Sequence, residues 1–404
     1  MLRPRMMPDR LLEMACTSLV FATLVFAEYQ PVSAETIARC GKGWLEKVDQ
    51  SMVLHVRGTP YEMGYQHGAL LKEHVHENMG FLMDELNSPT LVELGVFKVN
   101  PRSVIRGICE FQRKHIPPSY YEELAGLAAG AELDVDDIRI GNFLPELMHC
   151  SGFSVMNSAT KDGTLYHGRV LDYAIDWRLQ EHAVLIVAEP AGGIPFVNVG
   201  FAGFIGSVTG MNARHVSIGE MGGGGYGHWD GVPMAVLVRQ VLESAEDLPK
   251  AVTLFRDRPR TCQYFFVIAD GKTNQAVGME ASWNRFALIQ PGCTNDLLPT
   301  PVKDCVLLSS GDRYRQLVRR VEQGHGDFTA ESAQRLMDRP VSMNSNLHHV
   351  LFEPASLRLW VANATADLQP AADQHYQEFS LRELLARHPE AGACEIPLLK
   401  TALP

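Results

Sequence analysis

Several features are scarce or missing in these 404 residues. There is no Lys/Arg cluster, and the formal charge is −11, so nothing offers a footprint for a phosphate backbone and no nucleic-acid partner is expected. There is no CxxC and no Cys/His set at ligand spacing, which argues against structural zinc; no metal and no cofactor is expected. Internal repeats and low-complexity linkers are absent. The length exceeds the roughly 250–300 residues at which one core usually stops growing, yet no boundary marks a separate second domain. Beyond the N-terminus no segment reads as transmembrane.

What is present is ordinary globular composition, 46% apolar and 21% charged. The N-terminus reads as an export signal over residues 1–34. Arg3, Arg5 and Arg10 make a basic start, and the apolar run Met14–Ala27 is 14 residues, short for a membrane span. Small-residue cleavage sites follow at Val25-Phe26-Ala27 and Val32-Ser33-Ala34. An uncleaved anchor is the competing reading. Export implies a periplasmic, secreted or lysosome-like location. Cys16 leaves with the signal, and Cys40, Cys109, Cys150, Cys262, Cys293, Cys305 and Cys394 remain. An odd number in an exported protein points to one free thiol and up to three disulfides.

The periodicity predicts a strand over 51–58. One long helix follows over 60–86, opened by Thr59, Pro60 and Glu62 as a capping box. Further helices are predicted near 102–115, 119–131 and 135–142. After Cys150 the period changes to that of strands, mostly antiparallel, beginning with a hairpin around Lys161-Asp162-Gly163. Helices return over 232–256, 311–323 and 329–337, and a last hairpin turns at Glu353–Ser356. Helices, then strands, then helices and strands again predict a layered α+β fold.

Cys150 sits in "ELMHCSGFSV", where the helical region meets the first strand of the β run. Taken alone, a cysteine is far more often structural than catalytic. A nucleophile at a strand start, however, is held rigidly and can face a pocket. Arg169 and Asp172 follow in "HGRVLDY". Three apart on a strand, they point to opposite faces, so a bulge or turn is needed for both to reach one site. A surface ion pair is the plainer reading. His149 and His167 are candidate bases of a papain-like pair. "GGGGYGHWDG" lacks the Lys-Ser/Thr of a phosphate loop, so nucleotide binding is rejected. It reads as a flexible loop or as a substrate-contact segment with Tyr226 and Trp229 as apolar contacts. His74 and His76, two apart on a helix, face different ways and do not suggest a metal site.

The stretches "RGTPYEMGYQHGALL", "NFLPELMHCSGFSV", "DGTLYHGRVLDY", "GMNARHVSIGEMGGGG", "CTNDLLPTP" and "SSGDRYRQL" occur in this order. Together they resemble the cysteine N-terminal-nucleophile hydrolases of the acyl-coenzyme A:6-aminopenicillanic acid acyltransferase family, relatives of acid ceramidase and of the bile-salt and penicillin V acylases. The resemblance implies a four-layer αββα sandwich. It also implies cleavage between His149 and Cys150, giving a mostly helical light chain (35–149) and a β-rich heavy chain (150–404) of one catalytic domain. Cys150 would be the nucleophile, with its freed α-amine as base, held by Asp172. Arg169 would lie beside the thiolate, Asn295 would donate to the oxyanion, Glu220 would sit near the cleaved bond, and Arg313 would brace the far side. Val170 and Asp296 depart from the family pattern. The implied activity is hydrolysis or transfer of a small-molecule N-acyl amide, with no cofactor. The alternatives are a ceramidase-like lipid amidase, a catalytically inactive exported binding protein of the same fold, and a Cys150 held in a disulfide.

Overall fold

The computed structural model describes residues 34–88, 92–94, 97–147, 149–173 and 175–399. The expected signal lies outside the described residues except for Ala34, as does the side chain of His149. Three strands open the described chain: β1 (Ala34–Cys40), β2 (Gly43–Val48) and β3 (Ser51–Gly58). The predicted helix over 60–86 is two helices, α1 (Pro60–Leu70) and α2 (Lys72–Asn87). Its start is as expected. Thr59 Oγ1 accepts from Glu62 N–H, and the Thr59 N–H donates to Glu62 Oε2 at 2.8 Å. The break is at Leu71, which leaves the helical region at φ −116° and ψ 28°.

A short hairpin, β4 (Val92–Leu94) and β5 (Phe97–Val99), precedes α3 (Pro101–Gln112), α4 (Pro118–Ala131) and α5 (Val135–Gly141). The two halves of the broken helix pack differently: α1 lies mainly on α4 and β3, and α2 on α3, α4 and α5. The α1–α4 contact is backbone to backbone. A Cβ on Gly64 would lie 1.9 Å from the Glu123 carbonyl oxygen, so only glycine fits there.

The strand region follows the expected alternation. It begins with β6 (His149–Asn157) and β7 (Gly163–Asp172), then β8 (Ala183–Pro190), β9 (Phe196–Phe201), β10 (Thr209–Asn212) and β11 (Val216–Gly224). The first part of the glycine-rich stretch is therefore strand, paired with β12 as far as Gly224. Helices α6 (Met234–Ser244) and α7 (Leu248–Arg256) come next, then β12 (Gln263–Asp270), β13 (Gln275–Ser282) and β14 (Phe286–Ile289). After β15 (Cys305–Leu308) come α8 (Gly311–Gly324) and α9 (Ala330–Gln334). The last hairpin is β16 (Asn346–Glu353) and β17 (Arg358–Asn363). The chain closes with β18 (Gln377–Ser380), α10 (Leu381–Ala386) and β19 (Cys394–Ile396).

Two sheets carry the fold. One has eleven strands in the order β14-β13-β12-β11-β10-β9-β8-β3-β2-β1-β19, the other six in the order β15-β6-β7-β16-β17-β18. Pairing is antiparallel except for β3 with β8 and β1 with β19. In the stacked region β11 and β12 face β6, β7 and β15. Met156 and Leu165 of the small sheet meet Ala269 and Ala276 of the large one there. Helices α6 and α7 cover the large sheet, and α8 and α9 the small one. This is the expected four-layer αββα sandwich. No helix of the described residues is long and apolar enough to cross a membrane.

Of the up to three disulfides the count allows, none forms among the described residues: their seven cysteines are all free, Cys150 among them. The Cys40 and Cys394 strands are neighbours, but Cys394 faces Ala38 and Cys40 faces Ile396, two positions out of register.

Candidate active site

The site is built around the end of the β6–β7 hairpin. Register fixes who faces whom: Cys150 is opposite Leu171, Gly152 opposite Arg169, Ser151 opposite Val170, and His149 opposite Asp172. Alternation then puts Cys150 and Arg169 on one face and Ser151 and Asp172 on the other. The irregularity expected in β7 is instead in its neighbour β16, between Asn346 and His348. Arg169 and Asp172 do face opposite ways, and the site wraps around the strand end to use both.

The inner face lies between the sheets. Arg169 is 0% exposed. Its Nη2–H donates to Cys150 Sγ at 2.9 Å and to Glu220 Oε2 at 3.5 Å, and its Nε–H donates to the Glu220 carbonyl at 3.3 Å. Its Nη1–H donates to His348 Nε2 at 2.9 Å. That bond puts the His348 proton on Nδ1. Gly219 makes room for this guanidinium, because a Cβ there would lie 2.7 Å from Arg169 Cγ.

The Cys150 thiol donates to Glu220 Oε2 at 3.9 Å, and Glu220 Oε1 is buried with no partner among the described residues. Burial pushes the Cys150 thiol well up, against the pull of Arg169. Burial also raises the Glu220 carboxyl to about 8, with Glu146 adding repulsion. One buried cation therefore faces two acids, and neutrality calls for one negative charge between them.

On the outer face, Arg313 donates to Asp172 Oδ2 and Ser151 Oγ, and its Nε–H donates to the Val341 carbonyl at 2.7 Å. The Met343 N–H donates to Asp172 Oδ1 at 2.8 Å. Ser151 and Ser309 share a hydrogen bond of 2.8 Å. Burial raises the Asp172 carboxyl, while Arg313 and the Met343 amide pull it down.

A cavity of about 590 Å³ opens beside Cys150. Its apolar lining includes Met221, Phe265, Leu297, Leu298 and Met343, and its cation is Arg313. The glycine-rich strand contributes Gly222 and Gly223. The expected aromatic contacts are elsewhere. Tyr226 is 48% exposed, and Trp229 packs on Phe143 and Tyr226, so Phe265 is the aromatic wall of this cavity.

Asn295 stays with its own turn, its Oδ1 accepting from Leu297 N–H at 3.0 Å. That bond makes Nδ2 the donor end of the amide, on a loop whose next residues line the cavity. His167 bonds Ser217 at 2.8 Å, and burial holds it down at about 3, so it is no partner for the thiol.

Sequence reasoning missed Glu146 and His348. Glu146 is buried four residues before Cys150 and takes hydrogen bonds from the hydroxyls of Tyr264 at 3.0 Å and Thr261 at 3.1 Å. Burial raises it to about 7. An acid inside the apolar run "FLPELM" was its signal. For His348 the signal was the pair in "NLHHVLFEP", since adjacent strand residues alternate and one of them must point inward.

A model of the family described as acyl-coenzyme A:6-aminopenicillanic acid acyl-transferase matches residues 158–366, just over half of the chain. The chain belongs to that family. The matched region begins shortly after Cys150 and contains Arg169, Asp172, Glu220, Asn295 and Arg313.

The chain is 24% identical over 402 residues to protein dcd1B of Dictyostelium discoideum, covering 87% of this chain and 79% of that one. It is 26% identical over 243 residues to the acyl-coenzyme A:6-aminopenicillanic-acid-acyltransferase 40 kDa form of Emericella nidulans, covering 57% and 64%. It is 25% identical over 195 residues to the N-acylethanolamine-hydrolyzing acid amidase of Cavia porcellus, covering 46% and 53%. The chain thus spans less than two thirds of the length of the latter two. Both named activities move an acyl group on or off nitrogen.

Proposed function

We propose that the protein is a self-processing cysteine amidase or acyltransferase acting on N-acyl amides through a thioester on Cys150. The observation that carries this reading is a thiol at a strand start, 2.9 Å from a fully buried guanidinium, at the wall of a largely apolar cavity.

In the first step the Cys150 sulfur attacks the His149 carbonyl carbon. The peptide C–N bond breaks, the nitrogen gains a proton, and water hydrolyses the resulting thioester. The products are a carboxylate on residue 149 and a free amine on Cys150. Glu220 Oε2, the acceptor of the thiol proton, acts as base for this step.

In turnover the new amine, with a reference pKa near 8, takes the thiol proton. The sulfur attacks the substrate carbonyl, and the Asn295 amide donates to the oxyanion. Collapse breaks the C–N bond, and the ammonium returns its proton to the leaving amine. Water then frees the acid, or a second amine takes the acyl group. Atoms and charges balance with these residues alone. Arg169 steadies the sulfur anion, and Asp172, held by Arg313, binds the ammonium of Cys150.

The substrate class follows from the cavity: an apolar acyl chain against Met221, Phe265 and Leu298, with Arg313 available to a polar head. The expected export places the reaction outside the cytoplasm, where acyl-coenzyme A is scarce, and so favours hydrolysis.

The test is a denaturing gel and intact mass beside a Cys150→Ala variant. If the signal ends at Ala34, the native chain yields fragments of 115 (35–149) and 255 (150–404) residues. The variant stays whole and inactive. An unbroken native chain with full activity overturns the proposal.

A further inference from the structure

We propose that His74, Glu77 and His182 form a binding site for a divalent transition-metal ion, with zinc the best match to the donor set. His74 is the third residue of α2, and Glu77 lies three residues on, hence on the same helix face. His182 ends the one-turn 3-10 helix Leu179–His182 that leads into β8. The chain therefore brings the third side chain from more than a hundred residues away.

The His74 and His182 Nδ1 atoms are 3.2 Å apart, with the rings edge-on at 76°. Two nitrogens bound to one tetrahedral zinc, each at about 2.0–2.1 Å, are separated by about 3.3 Å. One ligand atom from each of the three residues lies within 4.8 Å of the others. A hydrogen bond between two imidazoles accounts for the nitrogen spacing but gives no part to the carboxylate beside it.

The neighbouring charges also fit. The Glu181 carboxylate is already held by Arg178 at 2.8 and 2.7 Å, so Glu77 is left to supply the negative ligand. His182 is buried and its carbonyl is fixed by the Ala202 N–H at 2.9 Å, while Glu77 is exposed. That combination gives a rigid inner ligand and an outer side open to water as fourth ligand, the usual arrangement of a three-ligand zinc site. His74 and His76 face different ways, as their spacing implies, and the groups beside His74 are an acid one turn away and a distant histidine. The metal would tie α2 to the turn before β8. If the chain is cut before Cys150, those two belong to different fragments, but the site itself does not depend on the cut.

The experiment is calorimetric titration of the full-length, EDTA-stripped protein with Zn²⁺, together with the visible spectrum of the Co²⁺ form. One equivalent should bind, and the Co²⁺ spectrum should be that of a nitrogen–oxygen site with no thiolate charge-transfer band. His74→Ala and Glu77→Gln should each weaken binding by more than about tenfold with an unchanged circular dichroism spectrum. Cys150→Ala should bind as tightly as the native chain, which separates this proposal from the one on processing. Failure of stoichiometric binding overturns the inference, as does equal affinity in His74→Ala. So does a thiolate band, which would move the ion to the exposed Cys293 or Cys394.

Discussion

The two faces of the β6–β7 strand end hold similar groups in opposite states. On the inner face one arginine serves a thiol and a carboxyl that together call for a single negative charge, and one carboxyl oxygen has no partner among the described residues. On the outer face one arginine serves one aspartate, and an amide and a serine complete the set. The inner face is buried and electrostatically frustrated, and the outer face is satisfied. In the mechanism proposed above, the chemistry falls to the inner face and the positioning to the outer. Only 19% of the Arg313 side chain is exposed, against none of Arg169, so both arginines resist replacement, for different reasons.

The sharpest way to break this contrast is Arg169→Leu. It leaves Glu220 buried without its cation, and the cost should be about 3–5 kcal/mol in a urea melt, with processing lost. Adding Glu220→Gln should recover most of the stability and none of the activity, because the pair is then removed together.

Arg313→Ala should cost less, about 1–3 kcal/mol, since Asp172 keeps the Met343 amide. Its activity loss should appear as a shift in the pH profile of kcat as the Cys150 ammonium loses its anchor.

Melting against pH tests the buried acids as a set. Glu123 and Glu146 are raised to about 7 and Glu220 to about 8, chiefly by burial. The native state therefore holds more protons than the unfolded chain above pH 4.5, and these groups lower stability as pH rises through 8. Burial holds His67, His167 and His349 at about 3, so these groups raise stability as pH climbs from 3 to 6.5. Above pH 6.5 only the acids act. Maximum stability should fall near pH 6, with a decline toward pH 8 on the order of 1 kcal/mol per carboxyl. Glu220→Gln should flatten that decline.

The smallest effects sharpen the pocket. Phe265→Ala should raise KM for long apolar acyl amides about tenfold, as expected for lost apolar contact. Tyr226→Ala should leave stability within about 0.5 kcal/mol.

Much of this was legible in the chain. The capping box at Thr59, the change of period at Cys150 and the Arg169–Asp172 spacing each carry a local rule, and local rules survive folding. The glycine-rich stretch misled because permissive backbone reads as loop, whereas tertiary pairing with β12 makes residues 222–224 strand. The break at Leu71 was hidden because the apolar period runs straight through it, and only the tertiary packing of α1 and α2 shows where the helix turns aside. Glu146 and His348 were hidden because nothing in sequence spacing brings residues 146, 220 and 348 to one point. Strands β1, β2 and β19 were too short or too mixed in pattern to stand out.

The eleven-stranded sheet threads β3, from before Cys150, directly beside β8, from after it, and β1 beside β19 in the same way. Severing the peptide ahead of Cys150 would leave two polypeptides stitched along both seams by main-chain hydrogen bonds. They would travel through a sizing column as one particle, and neither would be recovered alone without denaturant.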